Sequence, residues 1–233
     1  MRFRRHGDRL IQLTRLRLVN AYLVREPDGV TVVDTSIAGS ANAIRWAADA
    51  LGLPIRRIVL SHAHTDHFGS LDALHAAVPN AEVLISERDA KLLAGDLSRQ
   101  PGEPAGRLFP GVFRPSAETR PTRTVAEGDR IGSLEVIAAP GHTPGQLAFL
   151  DHRDRTLIAG DAYVAVGGLF VTTQPVLRFP FPALVGTWHK PTAHATALKL
   201  RRLSPHRLAV GHGPVLDDPV PAMDRAIQNA PGA

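Results

Sequence analysis

Hydrophobic and polar positions along this chain fall into short bursts whose period switches repeatedly between that of a strand and that of a helix. Leu16–Val24 and Gly29–Asp34 are rich in β-formers and flank Glu26-Pro27-Asp28-Gly29, turn chemistry that predicts a hairpin. Ser40–Leu51 has helical spacing (Ala43, Ile44, Ala47, Leu51) and stops at Gly52 and Pro54. A strand over Ile55–Leu60 follows, then a helix over Asp66–Ala77, a strand over Glu82–Ser86 and a helix over Glu87–Ala94 closed by Gly95. Residues 98–124 lose periodicity and gain Pro, Gly and Arg, yet hold Phe109 and Phe113. Strands resume at Arg130–Ala138, Gln146–Leu150 and Thr156–Ile158, and residues 162–190 are again irregular and aromatic. A helix over Ala193–Leu203, a strand over Arg207–Val210 and a helix over Val220–Asn229 complete the pattern. Two runs of alternating strands and helices predict an α/β layered fold, with residues 1–233 as a single domain.

Composition narrows the chemistry. There is no cysteine, which removes disulfides, thiolate metal sites and Fe–S clusters, so any metal must be held by nitrogen and oxygen. The net charge of +5 is carried almost wholly by arginine, since the only lysines are Lys91, Lys190 and Lys199. These arginines are scattered, with no basic strip interleaved with aromatics, which argues against a nucleic-acid partner. Met1–Leu10 has no apolar stretch of a signal peptide, and no run is long enough to span a membrane. The expectation is a soluble, cytoplasmic chain with no membrane partner.

Candidate chemistry concentrates in His62-Ala63-His64-Thr65-Asp66-His67, directly after the apolar run Arg57-Ile58-Val59-Leu60. In extended backbone, residues i and i+2 face the same way, so His62 and His64 can converge on one ion. Asp66 and His67 begin the next helix and point toward a second ion. Two ions about 3.5–4 Å apart can share a hydroxide that is nucleophilic at neutral pH. Three more candidates sit at strand ends beside glycine: His142 in Gly141-His142-Thr143-Pro144-Gly145, Asp161 in Gly160-Asp161, and His212 in Gly211-His212-Gly213. Strand ends are where open α/β sheets gather their sites, and glycine permits close approach. His6, His75, His152, His194 and His206 are isolated and read as structural.

With Asp34 in Val33-Asp34-Thr35, these segments resemble, in order and spacing, the signatures of metallo-β-lactamase-fold hydrolases, over about residues 16–215. The resemblance implies an αββα sandwich. It implies two divalent ions, zinc first with manganese or iron as alternatives. One ion would lie on His62, His64 and His142 and the other on Asp66, His67 and His212, with Asp161 bridging. Asp34 would orient a ligand from behind, or cap its turn. Asp66 would also orient the nucleophile and pass a proton to the leaving group.

Several branches of the family share this machinery, and fold does not choose among them. The acidic bridge Asp161 resembles the glyoxalase II and lactonase branches, whereas true β-lactamases of the fold generally lack it. Glyoxalase II carries an added C-terminal helical part, and only about 20 residues follow His212 here. Lactonases place a tyrosine three residues after the bridge; this chain has Tyr163 two after it, a candidate oxyanion donor or a half-buried aromatic. Persulfide dioxygenases share the His62–His67 cluster and the Gly141–Gly145 signature but use one iron, and their arginine-rich motif has no counterpart in Ala162–Gly168. Nucleases of the fold add an inserted domain or arm not evident here. The resulting expectation is a hydrolase of a small ester, lactone or thioester. An iron oxygenase, a phosphodiesterase and a non-catalytic metal-bound module are the alternatives. Phe109, Phe113, Phe170, Phe179 and Phe181, with Trp188 and His189, would roof the cleft and favour an apolar substrate. A homodimer interface or local core is the equal alternative for the second aromatic segment.

Overall fold

In the computed structural model, which describes residues 1–113, 115–175 and 186–230, two sheets face each other between two helical layers. The first sheet runs in the order β1 (Arg2–His6), β2 (Leu10–Arg15), β3 (Val19–Glu26), β4 (Gly29–Val33), β5 (Ile55–Val59), β6 (Glu82–Ile85) and β7 (Arg123–Thr124). Its first four strands form an antiparallel meander, and from β4 onward the pairing is parallel. The change follows from the connections, because α1 (Ala41–Asp49) carries the chain from β4 back to the start of β5. After β5 come α2 (Thr65–Phe68) and α3 (Leu71–Ala77), and after β6 comes α4 (Glu87–Leu93).

The second sheet contains β8 (Arg130–Ile131), β9 (Leu134–Ala138), β10 (Leu147–Asp151), β11 (Thr156–Ile158), β14 (Arg207–Ala209) and β15 (Leu216–Asp217). A separate hairpin, β12 (Tyr163–Ala165) with β13 (Leu169–Val171), precedes α5 (Lys190–Arg202), and α6 (Val220–Gln228) ends the described chain.

Period-two alternation builds the layers. Along β5, Ile58 faces the helical side with Ile44, Leu71 and Leu74, while Val59 faces the opposing sheet with Tyr22, Leu84 and Phe149. Along β10, Phe149 joins that inter-sheet core, and Ala148 and Leu150 pack with Leu200, Met223 and Ala226 of α5 and α6. Because both faces of these strands are covered, a one-residue slip would exchange two apolar cores, so the register is tightly specified. This is the αββα sandwich the motifs implied.

Several elements depart from the pattern: β2 and the β12–β13 hairpin are unannounced, and Arg130–Ala138 is two strands that pair with each other. The Asp66–Ala77 helix is two helices, broken at Gly69-Ser70. A Cβ on Gly69 would lie 2.5 Å from the Thr65 carbonyl oxygen and 2.7 Å from the Ala38 nitrogen, and Ser70 Oγ accepts from Ser40 N and donates to the Ile37 carbonyl, both at 2.7 Å. The break therefore docks the 37–40 loop against the site. Leu16 and Arg17 form a left-handed turn (φ 50° and 62°), not the start of a strand, and Leu16 is 75% exposed. Finally, the charged segment Arg2–His6 is a strand although four of its five residues are exposed. Its backbone completes the edge of the sheet through β2, a pairing that hydrophobic alternation does not reveal. No helix among the described residues is long and apolar enough to cross a membrane.

Candidate metal centre

All seven predicted ligand positions lie on loops at one end of the sandwich. His62 and His64 follow β5, Asp66 and His67 open α2, His142 lies between β9 and β10, Asp161 follows β11 and His212 follows β14. Glycine lets these loops meet: a side chain at Gly211 would overlap the Asp161 carboxylate and crowd the His67 ring. Potential ligand atoms gather in three overlapping sets, His62–His64–His142, His62–His67–Asp161 and Asp66–His67–His212, each within 4.8 Å. His142 Nε2 stands 3.0 Å from His64 Nδ1, and His67 Nε2 stands 3.4 Å from His212 Nε2. Asp161 lies 3.4 Å from His142 Nε2, 3.4 Å from His67 Nε2 and 3.0 Å from His212 Nε2.

The donor set fits divalent ions. Tetrahedral coordination at 2.0–2.1 Å places neighbouring ligand nitrogens about 3.3 Å apart, the spacing these imidazoles adopt. His62 Nε2 is moreover buried with no hydrogen-bond partner among the described residues, an arrangement that costs about 1–3 kcal/mol when nothing fills it.

Electrostatics divide the site. Burial, reinforced by neighbouring imidazoles, holds His62 and His64 well below their ordinary pKa. Burial likewise lowers His142 to about 4, against the pull of Asp161. This half is therefore neutral and ready to ligate. In the other half burial is overridden by charge. Asp161 and Asp66 raise His212 to about 9, and the same carboxylates with Asp34 raise His67 well above its usual value. Burial would raise Asp161, but His212 and His67 hold it well below the carboxylate range. Asp66 is depressed against burial by His67 and His212, although its side chain is 37% exposed.

Asp34 stands behind the ligands. In a left-handed conformation (φ 62°) it accepts from Ser61 N at 2.7 Å and Ser61 Oγ at 2.8 Å, and faces His67 Nδ1 at 2.9 Å, which turns His67 Nε2 toward Asp161. Other supports carry no motif. Ser61 Oγ lies 3.0 Å from His62 Nδ1, and Thr172 Oγ1 3.1 Å from His142 Nδ1. Asn20 donates to the carbonyls of Val210 and Gly213, and Tyr22 to Val210, which brackets the His212 loop. Asp89 is fully buried, and burial pushes its carboxyl up to about 6. The one signal visible in sequence is the Ser86-x-x-Asp89 capping pattern, and Ser86 Oγ does accept from Asp89 N at 3.1 Å.

The outer residues divide. Tyr163 is not placed to donate to an oxyanion: it is fully buried in the helix-side core, and its hydroxyl donates to the Ala197 carbonyl at 2.7 Å. Burial pushes its pKa up as well. Tyr163→Phe is expected to lower unfolding free energy by about 1 kcal/mol while leaving turnover unchanged, measured by denaturation and steady-state kinetics. His189 caps α5, with Nδ1 2.7 Å from Thr192 Oγ1. Phe113 packs against His64 (4.8 Å between centroids), and Trp188 N donates to the His142 carbonyl at 2.9 Å. Both are buried and act as walls behind the ligands. Phe109 lies under the Arg107 guanidinium at 4.4 Å, and Phe170 stands on β13 opposite Val164. Phe179 and Phe181 lie outside the described residues. A cavity of about 280 Å³ opens beside Asp66, walled by Ile37, Ala38, Phe68 and Pro115. His6 pairs with Gln12, His152 pairs with Glu135, and none of the five isolated histidines joins a ligand set among the described residues.

Comparisons with known proteins agree with this geometry. Residues 14–212 match the family described as the metallo-beta-lactamase superfamily. The uncharacterized protein YobT of Bacillus subtilis (strain 168) is 46% identical over 91% of this chain and 90% of its own length. The hydroxyacylglutathione hydrolase of Rhodospirillum rubrum is 32% identical over 69% of this chain and 50% of its own. The crystal structure of TTHA1623 in a di-iron-bound form superposes with a TM-score of 0.65 at 27% identity, covering 91% of this chain and 95% of that one. Family match, sandwich and ligand geometry coincide, and the chain belongs to the metallo-β-lactamase superfamily.

Proposed function

We propose that this protein is a dinuclear metal-dependent hydrolase of a small carbonyl ester, lactone or thioester. The observation that carries the reading is Asp161, whose single carboxylate lies within 3.4 Å of His142 in one ligand set and 3.0 Å of His212 in the other. His62, His64 and His142 would hold one ion, and Asp66, His67 and His212 the second, with Asp161 between them. Bound there, zinc, iron or manganese supplies Lewis acidity and lowers the pKa of water toward neutrality. The di-iron form of TTHA1623 supports the two-ion count and makes iron an alternative to zinc.

The chain's own groups complete the reaction. Asp66 is the ligand-set residue most open to solvent, and it lines the cavity beside the site. Held as a carboxylate, it takes up the proton as water adds to the substrate carbonyl. It returns that proton to the departing alcohol or thiol as the C–O or C–S bond breaks. Ile37, Ala38, Phe68 and Pro115 offer the leaving group an apolar wall. The likeness to a hydroxyacylglutathione hydrolase supports acyl transfer to water, although this chain spans half of that relative's length.

One experiment tests the reading: elemental analysis of the purified protein, followed by a panel of esters, lactones, thioesters and phosphodiesters. Two ions per chain with turnover of a carbonyl substrate is the expected result. One iron per chain would favour the oxygenase, turnover of phosphodiesters alone the nuclease branch, and full metal without turnover a binding role.

A further inference from the structure

Asp89 belongs to none of the ligand sets, yet it ties two of their loops together. Its Oδ2 accepts from Ala63 N at 2.9 Å and from Thr143 Oγ1 at 2.7 Å, and its Oδ1 accepts from Gly145 N at 2.8 Å. Ala63 lies between His62 and His64, and Thr143 follows His142. The first loop leaves the first sheet and the second joins two strands of the other sheet, so one side chain sets how far apart the two sheets hold these three histidines. Gly145 makes the approach feasible, because a Cβ there would lie 2.6 Å from Asp89 Oδ1.

Stability does not account for this arrangement. The three groups that Asp89 bonds are neutral donors, and the adjacent Arg88 pairs with Glu103 instead. A fully buried carboxylate with no ion pair of its own destabilises a fold relative to an apolar residue. The other half of the centre has separate supports: Asp34 behind His67, and Asn20 and Tyr22 behind the His212 loop.

We propose that Asp89 is the positioning residue of the three-histidine half, holding His62, His64 and His142 at the separation one divalent ion requires. The proposal rests on the metal reading above and adds to it a residue whose loss acts on one half alone.

The test is a Co²⁺ titration of chelator-stripped full-length protein followed by visible absorption, with His142→Ala and His212→Ala marking which transition belongs to which half. Asp89→Ala is expected to weaken binding at the three-histidine half by about 10–100-fold and to alter its absorption band. The loss at the other half should be clearly smaller, because Asp89 bonds none of its ligands and only shared groups such as Asp161 couple the two. Asp89→Asn should fall between, because its carbonyl can serve Ala63 and Thr143 while its amide opposes Gly145 N–H. Unchanged affinity at the three-histidine half, or equal losses at both halves, overturns the assignment. If Asp89→Ala does not fold, Thr143→Val removes one of the three bonds without touching the backbone, and unchanged affinity there overturns it equally. Wild-type protein that takes up no ion sinks the metal reading and this inference with it. Normal uptake with no selective loss sinks only the role of Asp89.

Discussion

If the protein is the hydrolase proposed, Asp66→Ala is expected to lower kcat/KM on its carbonyl substrate by about 10²–10⁴-fold, the range for a lost acid–base group. The same change weakens the second ion and spares the first. Asp66 Oδ2 lies 3.3 Å from His212 Nε2 and 3.8 Å from His67 Nε2, and Asp66 joins only the ligand set formed with those two histidines. Asp66→Asn separates the two duties, since an amide keeps the shape and can offer an oxygen but cannot take up a proton. Kinetics with metal stoichiometry on both variants checks this; retained activity in either removes Asp66 from the proton pathway.

Chelation is expected to stop the proposed turnover, and added zinc, manganese or iron to restore it. It also exposes a pH dependence that the charged half dictates. His212, raised to about 9, and His67, raised well above its usual value, carry protons at pH 7 once no ion competes for them. Ion uptake at pH 7 therefore releases protons, and affinity falls as pH falls. Isothermal titration in buffers of different ionisation enthalpy measures that release. The stability of the stripped protein has the matching form. The raised histidines stabilise it fully below their unfolded value near 6.5 and cease to do so as pH climbs through about 9. The depressed carboxylates Asp66 and Asp161 stabilise it above about 3.8 and cease to do so as pH falls through their lowered values. Against this, His62, His64 and His142, held below 6.5 by burial, cost stability as pH falls below about 6.5, so the site contributes most near pH 6.5. Rebinding at 100 times the dissociation constant adds about 2.7 kcal/mol per ion. A stripped protein whose stability does not fall between about pH 6.5 and 9 contradicts the charged half.

How much of this was readable in advance depended on whether the signal is local. The strand into His62 and the helix over Ala41–Asp49 show up as periodicity because one face of each must be apolar, and neighbours in sequence report that directly. The edge strand Arg2–His6 has no such face, and its existence depends on a partner that supplies backbone hydrogen bonds. The break at Gly69-Ser70 likewise belongs to the 37–40 loop that docks there, not to the helix residues themselves.

The same division runs through the site. Residue type and glycine-flanked spacing alone picked out the seven candidate ligands, because ligation demands particular atoms on particular turns. Tyr163 stands beside Asp161 in sequence, but strand geometry sends its ring into the opposite core, where it bonds Ala197. His189 caps a helix through Thr192, a role its place in the chain does not announce. Asp89, which clasps two ligand loops from different sheets, carries no metal-ligand signature. The chain's sequence by itself determined the layers and the identity of the candidate ligands, since both depend on chemistry within a few residues. Only the tertiary structure decided which groups support those ligands, because a hydrogen bond between residues tens of positions apart leaves no periodic trace.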